Sequence, residues 1–391
     1  MARITPAFAE TIIIGGGVIG CSVAYHLAKQ GIKPLILERE IIAAGSSGAC
    51  DGLIFFQSKK PGLHLDLAIQ SIKALQDLSS ELEYDFEFRQ KGGLIMAETP
   101  AEVEVLEDLA AKQKSHGVEI SLLDGKQARE IEPKLSRDVC GASYCPHEGH
   151  INPMRLTRAY AQGAQGLGVR IMEGVNVDKI IISGTGVEGV QTSRGRFAAD
   201  LVINAAGSWA GLLGPVAGVE IPITPRRGQL LVTEPMPPFV NSVMLSAKYI
   251  AAKFNPELAD AAGQGVALEQ TEAGSMLVGS TREFVGFDRS VTRAGLLQIA
   301  ANAARLIPTL KKLHIIRSFA GLRPYTPDGL PILGPMPGVK GLMMAAGHEG
   351  DGITLSAVTG RLVADYVAGK APEESLHDFR LERFKEQSEN P

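Results

Sequence analysis

Residues 11–38 read Thr11-Ile12-Ile13-Ile14-Gly15-Gly16-Gly17-Val18-Ile19-Gly20, then CSVAYHLAKQGIKPLIL, then Glu38. A β-branched run of four predicts a buried strand at Thr11–Ile14. Ile19, Val23 and Leu27 recur every fourth residue, so the next stretch is a helix to Gln30 with one apolar face. Gly31 ends it, and Leu35–Leu37 is a second strand. This is a β-α-β unit with parallel strands. Gly15-x-Gly17-x-x-Gly20 lies between the first strand and the helix, and Glu38 follows eighteen positions after Gly20. That spacing is the fingerprint of a dinucleotide site. Gly15 makes the tight turn, Gly17 lets a pyrophosphate approach the backbone, and Gly20 lets helix and strand close. Backbone N–H groups of Val18 and Ile19 open the helix towards the phosphates. Glu38 accepts hydrogen bonds from a ribose diol and repels a 2′-phosphate. The motif by itself does not separate NAD from FAD.

Outward from this unit, residues 45–62 are rich in glycine and serine and predict an irregular loop over a ligand. Leu65, Ile69, Ile72 and Leu75 mark an amphipathic helix. Thr99-Pro100-Ala101-Glu102 predicts a capped helix start with a capping box, and Asn152-Pro153 opens another helix ending near Gly168. Between about 221 and 287 the pattern turns to short strands: Gln229–Thr233, Val243–Ile250, Gly265–Glu269 and Ser275–Gly279, an antiparallel sheet. A helix at Leu296–Ile307 follows. The chain closes on a strand (Gly341–Ala346), a glycine loop (Gly347–Gly352) and a helix (Ile353–Ala368).

The chain of 391 residues is 45% hydrophobic and 21% charged, so it folds with a sizeable core in two or three domains. A net charge of -4 argues against nucleic acid as a partner. Four cysteines in so long a chain are no disulfide framework and read as reduced thiols of a cytoplasmic protein. The N-terminus lacks the pattern of a signal peptide, and no transmembrane segment is expected.

Seven blocks resemble the glycine oxidase and D-amino-acid oxidase superfamily of flavoproteins. They are the opening glycine motif, Glu38-Arg39-Glu40, Gly45-Ser46-Ser47-Gly48, Val202–Trp209, Pro225-Arg226-Arg227-Gly228-Gln229, Gly321–Pro324 with Thr326–Pro331, and Ala346–Ile353. The tail block is most similar to catalytic β subunits of heteromeric bacterial amino-acid dehydrogenases of the hydroxyproline, opine and sarcosine type. The resemblance implies FAD as cofactor and an α/β fold. A discontinuous Rossmann-like FAD-binding domain takes residues 1–83, 147–222 and 315–391. An α+β substrate domain on an antiparallel sheet takes 84–146 and 223–314.

It also implies site residues. The FAD contacts are Gly15, Gly17, Val18, Ile19, Gly20, Glu38 and Arg39 on the first unit, then Ser46, Ser47 and Gly48 along the pyrophosphate. Val175 meets the adenine side through its backbone. Ala206, Gly207 and Trp209 lie beside the cofactor. Gly350, Asp351, Gly352 and Ile353 stand at the flavin, where a helix N-terminus favours negative charge. Arg323 binds the substrate carboxylate, since a guanidinium offers two parallel charge-assisted hydrogen bonds. Arg282 is the weaker alternative, and Arg226 and Arg227 read as structural. His348 and Glu349 are candidates to orient the amine or take its proton, and Tyr249 is a candidate contact to the carboxylate.

Cys140, Cys145, His147 and His150 match no zinc spacing, so no metal is expected. Cys50 reads as cavity lining. The expected activity is oxidation of a small amino or imino acid. A dehydrogenase subunit passes its electrons to a partner's flavin or iron–sulfur centre and meets the inner membrane only through that partner. A stand-alone oxidase passes them to oxygen. The rivals are an NAD-dependent dehydrogenase, which leaves the Arg323 and Gly347–Gly352 blocks unexplained, and a non-catalytic flavin-bearing relay or assembly subunit.

Overall fold

A computed structural model describes residues 7–214, 218–254 and 265–384. Thr11–Ile14 is a buried strand at the centre of a six-stranded sheet. The order is Arg170–Met172, Leu35–Leu37, Thr11–Ile14, Leu201–Asn204, Leu342–Ala346 and Ile332–Pro335. The first five strands are parallel and the last is antiparallel. The apolar runs predicted for Leu35–Leu37 and the final strand are buried on both faces, as covered parallel strands require.

The helix Val18–Lys29 leaves the glycine turn and packs against the last helix, Gly352–Val367. Their approach is close enough that a Cβ on Gly360 would stand 2.2 Å from Ser22 Oγ. Ser22 in turn donates to the Ser356 carbonyl at 2.8 Å. The helix therefore orients the glycine turn and the start of the final helix towards one cleft.

An eight-stranded sheet builds the other side. Its order is Ile315–Tyr325, Thr224–Thr233, Met276–Gly279, Ala267–Gln270, Val243–Ser246, Gly93–Ala97, Gly141–Cys145 and Ser121–Asp124. All pairs are antiparallel except Val243–Ser246 with Gly93–Ala97. Ile315–Tyr325, placed by the sequence with the cofactor half, is thus the edge strand of this sheet, and it carries Arg323. A four-stranded sheet contains Val177–Ser183, and a three-stranded one contains Leu53–Ile54.

Two local expectations change. The run Val243–Ile250 is a strand only to Ser246, and a helix starts at Ala247. Ser246 Oγ accepts the N–H of Tyr249 at 3.3 Å and of Val266 at 2.9 Å, so the serine caps the turn that ends the strand. Helix Pro100–Lys114 begins as predicted, with Thr99 Oγ1 accepting Glu102 N–H at 3.3 Å. The capping box does not close, because the Glu102 carboxylate takes the N–H of Glu98 instead. Asn152 caps helix Pro153–Gly166. Among the described residues no helix is long and apolar enough to cross a membrane.

Candidate active site

One cavity of about 480 Å³ runs from the glycine turn, between the two large sheets, to the start of the final helix. Its first end is built from backbone. A Cβ on Gly20 would stand 2.0 Å from the Gly15 carbonyl oxygen, and one on Gly15 would stand 2.6 Å from that of Ala205. Neither position admits a side chain. Glu38 holds the turn, its carboxylate accepting Gly16 N–H at 2.7 Å and Glu40 N–H at 2.8 Å. A carboxylate accepts about four hydrogen bonds, so two sites remain for a ribose diol. Ser47 Oγ accepts Val18 N–H at 3.0 Å, and Ser46 donates to the Leu322 carbonyl. The glycine-serine loop is thereby tied both to the helix and to the strand that bears Arg323.

Val175 is buried, and its N–H donates to the Glu38 carbonyl at 2.8 Å. The Arg39 guanidinium lies 3.8 Å from the centroid of the Trp209 ring, which stacks on Phe287. Ala206, Gly207 and Trp209 line the cavity beside them, as do Gly17, Val18 and Ile19. Gly48 stands outside the lining. Its Cβ would meet the Ala43 carbonyl at 2.2 Å, so it serves the loop's own packing.

The far end is built from side chains of distant segments. Arg323 lines the cavity, with Nη2 donating to Ser280 Oγ at 2.6 Å and Nη1 to the Thr281 carbonyl at 3.1 Å. Among the described residues it has no acidic partner within ion-pair distance. Burial, then the neighbouring Arg282, lowers its pKa. Arg226 stands directly opposite Arg323 in the strand pair, an arrangement of like charges that costs stability by itself. The cost is offset by Glu349, which pairs with Arg226. Even so, burial and then Arg282 and Arg323 bring Arg226 down to about 9. Arg227, by contrast, is held in place by Glu283 and Asp288.

Arg282 lies 4.3 Å from the centroid of the Tyr249 ring, and its Nε and Nη1 are buried without hydrogen-bond partners. Tyr249 lines the cavity from the first turns of helix Ala247–Phe254, not from the predicted strand. Burial pushes its phenol up, but Arg282 and Arg323 together outweigh burial and lower it.

At the head of the final helix, Gly350, Gly352 and Ile353 line the cavity. Asp351 turns away from it into an ion pair with Lys59 at 2.7 Å and with His64 at 3.1 Å, all three side chains buried. His348 Nε2 is 3.0 Å from Thr359 Oγ1, and burial pushes the ring down to about 3. It is therefore a neutral ring fastened to the helix. Glu349 has φ +49°, rare for a non-glycine residue, and its carboxylate is engaged by Arg226 and by Gly350 N–H. Cys50 lines the cavity as expected, and burial pushes its thiol well up, so it is no thiolate. Cys140 is exposed, Cys145 is buried, and His147 lies on the surface 3.2 Å from Glu119.

The sequence reading did not single out Asp51, Lys59 or Glu269. Asp51 lines the cavity three residues beyond the predicted Gly45–Gly48 motif. Glu269 is buried and accepts Gly52 N–H at 2.9 Å. Nothing local marks them, because the chemistry of each arises from strands far apart in the chain.

A backbone cradle for a pyrophosphate, a carboxylate for a ribose and a helix N-terminus at the opposite end fit a dinucleotide that carries a redox ring, and the comparisons name it. Residues 10–366 match the family of FAD-dependent oxidoreductases, and the chain belongs to that family. Its cofactor is FAD. The chain is 33% identical to hydrogen cyanide synthase subunit HcnC of Pseudomonas protegens, over 96% of each chain. It is 31% identical to glycine oxidase of Geobacillus kaustophilus, over 96% of this chain and 97% of that one. The crystal structure of L-proline dehydrogenase from P. horikoshii superposes with TM-score 0.88 at 28% identity, covering 98% of this chain and 99% of that one.

Proposed function

We propose that this protein oxidises the C–N bond of a small amino or imino acid, as the catalytic subunit of a heteromeric dehydrogenase. Arg323 carries the reading: a guanidinium deep in the cavity whose hydrogen-bond partners among the described residues are a hydroxyl and a carbonyl. A buried cation with neutral partners asks for an anion, and a carboxylate matches its planar fork. FAD, when bound, supplies a two-electron acceptor.

The protein's own residues supply orientation. Arg323 fixes the carboxylate, so the α-carbon's hydrogen is presented to the cavity side lined by Gly350, Gly352 and Ile353. The N–H groups at that helix start favour negative charge developing beside them. Tyr249 with Arg282 closes the site from the sheet side. The substrate reacts as the neutral amine, its ammonium proton having gone to solvent, gives up a hydride from the α-carbon to the two-electron acceptor, and leaves as an iminium. Neutral His348 and the engaged Glu349 fit roles in holding this wall better than proton transfer. The substrate class comprises glycine, sarcosine, proline, hydroxyproline and opine-type acids.

The heteromeric part rests on likeness to a synthase subunit. Cytoplasmic placement, with any contact to the inner membrane made by a partner, belongs to the same reading. The test is a screen of these acids in two assays, oxygen uptake and reduction of an artificial dye. Dye reduction with little oxygen uptake is expected. Vigorous oxygen uptake identifies a stand-alone oxidase instead. A flavin that no amino or imino acid reduces leaves the relay or assembly role.

A further inference from the structure

Asp51 is a carboxylate in the cavity with no ion pair and no side-chain hydrogen bond among the described residues, apart from the N–H of Leu53 on its own loop. A carboxylate drawn out of bulk water normally finds a cation or several donors. The groups that face it come from every wall. Arg323 lies on the edge strand, Arg282 and Tyr249 on the sheet side, Glu269 on the neighbouring strand, Asp351 at the final helix and Cys50 beside it. Glu269 has one oxygen bound to Gly52 N–H and the other buried without a partner. The local arrangement is therefore an acidic side and a basic side across one small volume. A zwitterion has the same arrangement.

We propose that Asp51 is the receptor for the substrate's amine, pairing with the ammonium or iminium nitrogen while Arg323 holds the carboxylate, a role that rests on the amino-acid reading above. It makes the site selective for α-amino over α-hydroxy or α-ether acids. The supporting electrostatics agree. Burial raises Asp51, and Arg323, the Leu53 N–H and Arg282 pull it back. Burial and then Asp51 push Glu269 up to about 8, whereas on Asp51 the two arginines work against the same burial.

The experiment uses the holoprotein under anaerobic conditions and reads perturbation or loss of the flavin absorbance. The probes are tetrahydro-2-furoate, which has a carboxylate and no amine, and the amines proline, sarcosine and glycine. Wild type is expected to bind at least one amine more tightly than the ether acid. Asp51→Asn is expected to weaken that amine about 30-fold. The same change leaves the ether acid equal or tighter, because a negative charge is gone from beside its carboxylate. Equal amine binding in wild type and Asp51→Asn overturns the proposal, as does a parallel loss of both probes. A wild type that binds the ether acid and none of the amines overturns it too, while leaving Arg323 as a carboxylate site. A wild type that binds no probe at all overturns the reading beneath it. If Asp51→Asn does not retain its flavin, Asp51→Ser decides with the same probes, and an amine preference over the ether acid equal to that of wild type contradicts the proposal.

Discussion

The two ends of the cavity are made of different material. At the nucleotide end the contacts are mainly backbone N–H groups, a glycine turn and one carboxylate within residues 15–38, with Arg39, Ser46, Ser47, Val175 and the Ala205–Trp209 turn beside them. At the substrate end they are side chains, Arg323, Arg282, Arg226, Tyr249 and Asp51, brought together by strand register and loops. Backbone contacts bind what many chains bind. Side-chain contacts bind what this chain selects.

The sharpest way to break this contrast is to put a side chain where the first end needs none. Gly20→Val drives a Cβ into the Gly15 carbonyl. The purified variant is expected to hold almost no flavin, against about one per chain in wild type, read by absorbance. Retained flavin contradicts the backbone account.

Next is the buried ion pair that fixes the helix between the two ends. Lys59→Met leaves Asp351 with His64 as an ion-pair partner among the described residues and is expected to cost about 3 kcal/mol of unfolding free energy, measured by denaturant titration. A change below 1 kcal/mol refutes the pair as the helix anchor.

His348 gives a pH signature. Its folded pKa is depressed to about 3 by burial, so its contribution is complete above the ordinary value of 6.5. It is lost as pH falls from there towards 3, because the unfolded chain takes up the proton first. Down to pH 5 the loss amounts to about 2 kcal/mol. His348→Gln is expected to flatten that part of the stability profile, and an unchanged slope places the titration elsewhere.

The smallest effect is at Tyr249. Tyr249→Phe keeps the ring under Arg282 and loses a hydroxyl, so KM is expected to rise about fivefold, with flavin content unchanged.

The same contrast explains what was legible in the sequence. Gly15, Gly17, Gly20 and Glu38 act within one β-α-β unit, so their spacing is their geometry. The fold followed, because period-two and period-3.6 patterns report burial directly. Arg323 was legible only through resemblance of its block to a family. The Arg226–Glu349 pair joins residues 123 apart and is set where the loop before the final helix docks on the edge strand, Glu349 N–H donating to the Pro324 carbonyl, which no local pattern carries. The sequence puts Tyr249 in a strand because Leu245–Ile250 alternates apolar and polar residues after the apolar start Val243-Met244. Ser246, capping the next turn, overrode that propensity. Asp51 looked like one more polar loop residue until Arg323, Arg282 and Glu269 were placed around it.

The central claim is that both ends serve one reaction, with the substrate's carboxylate on Arg323. The most direct test is an anaerobic titration of wild type and Arg323→Ala, side by side, with the amino or imino acid that best reduces the wild-type flavin. The account predicts full flavin content in both proteins and a half-reduction concentration about 300-fold higher in the variant. Bleaching of Arg323→Ala at the wild-type concentration contradicts it.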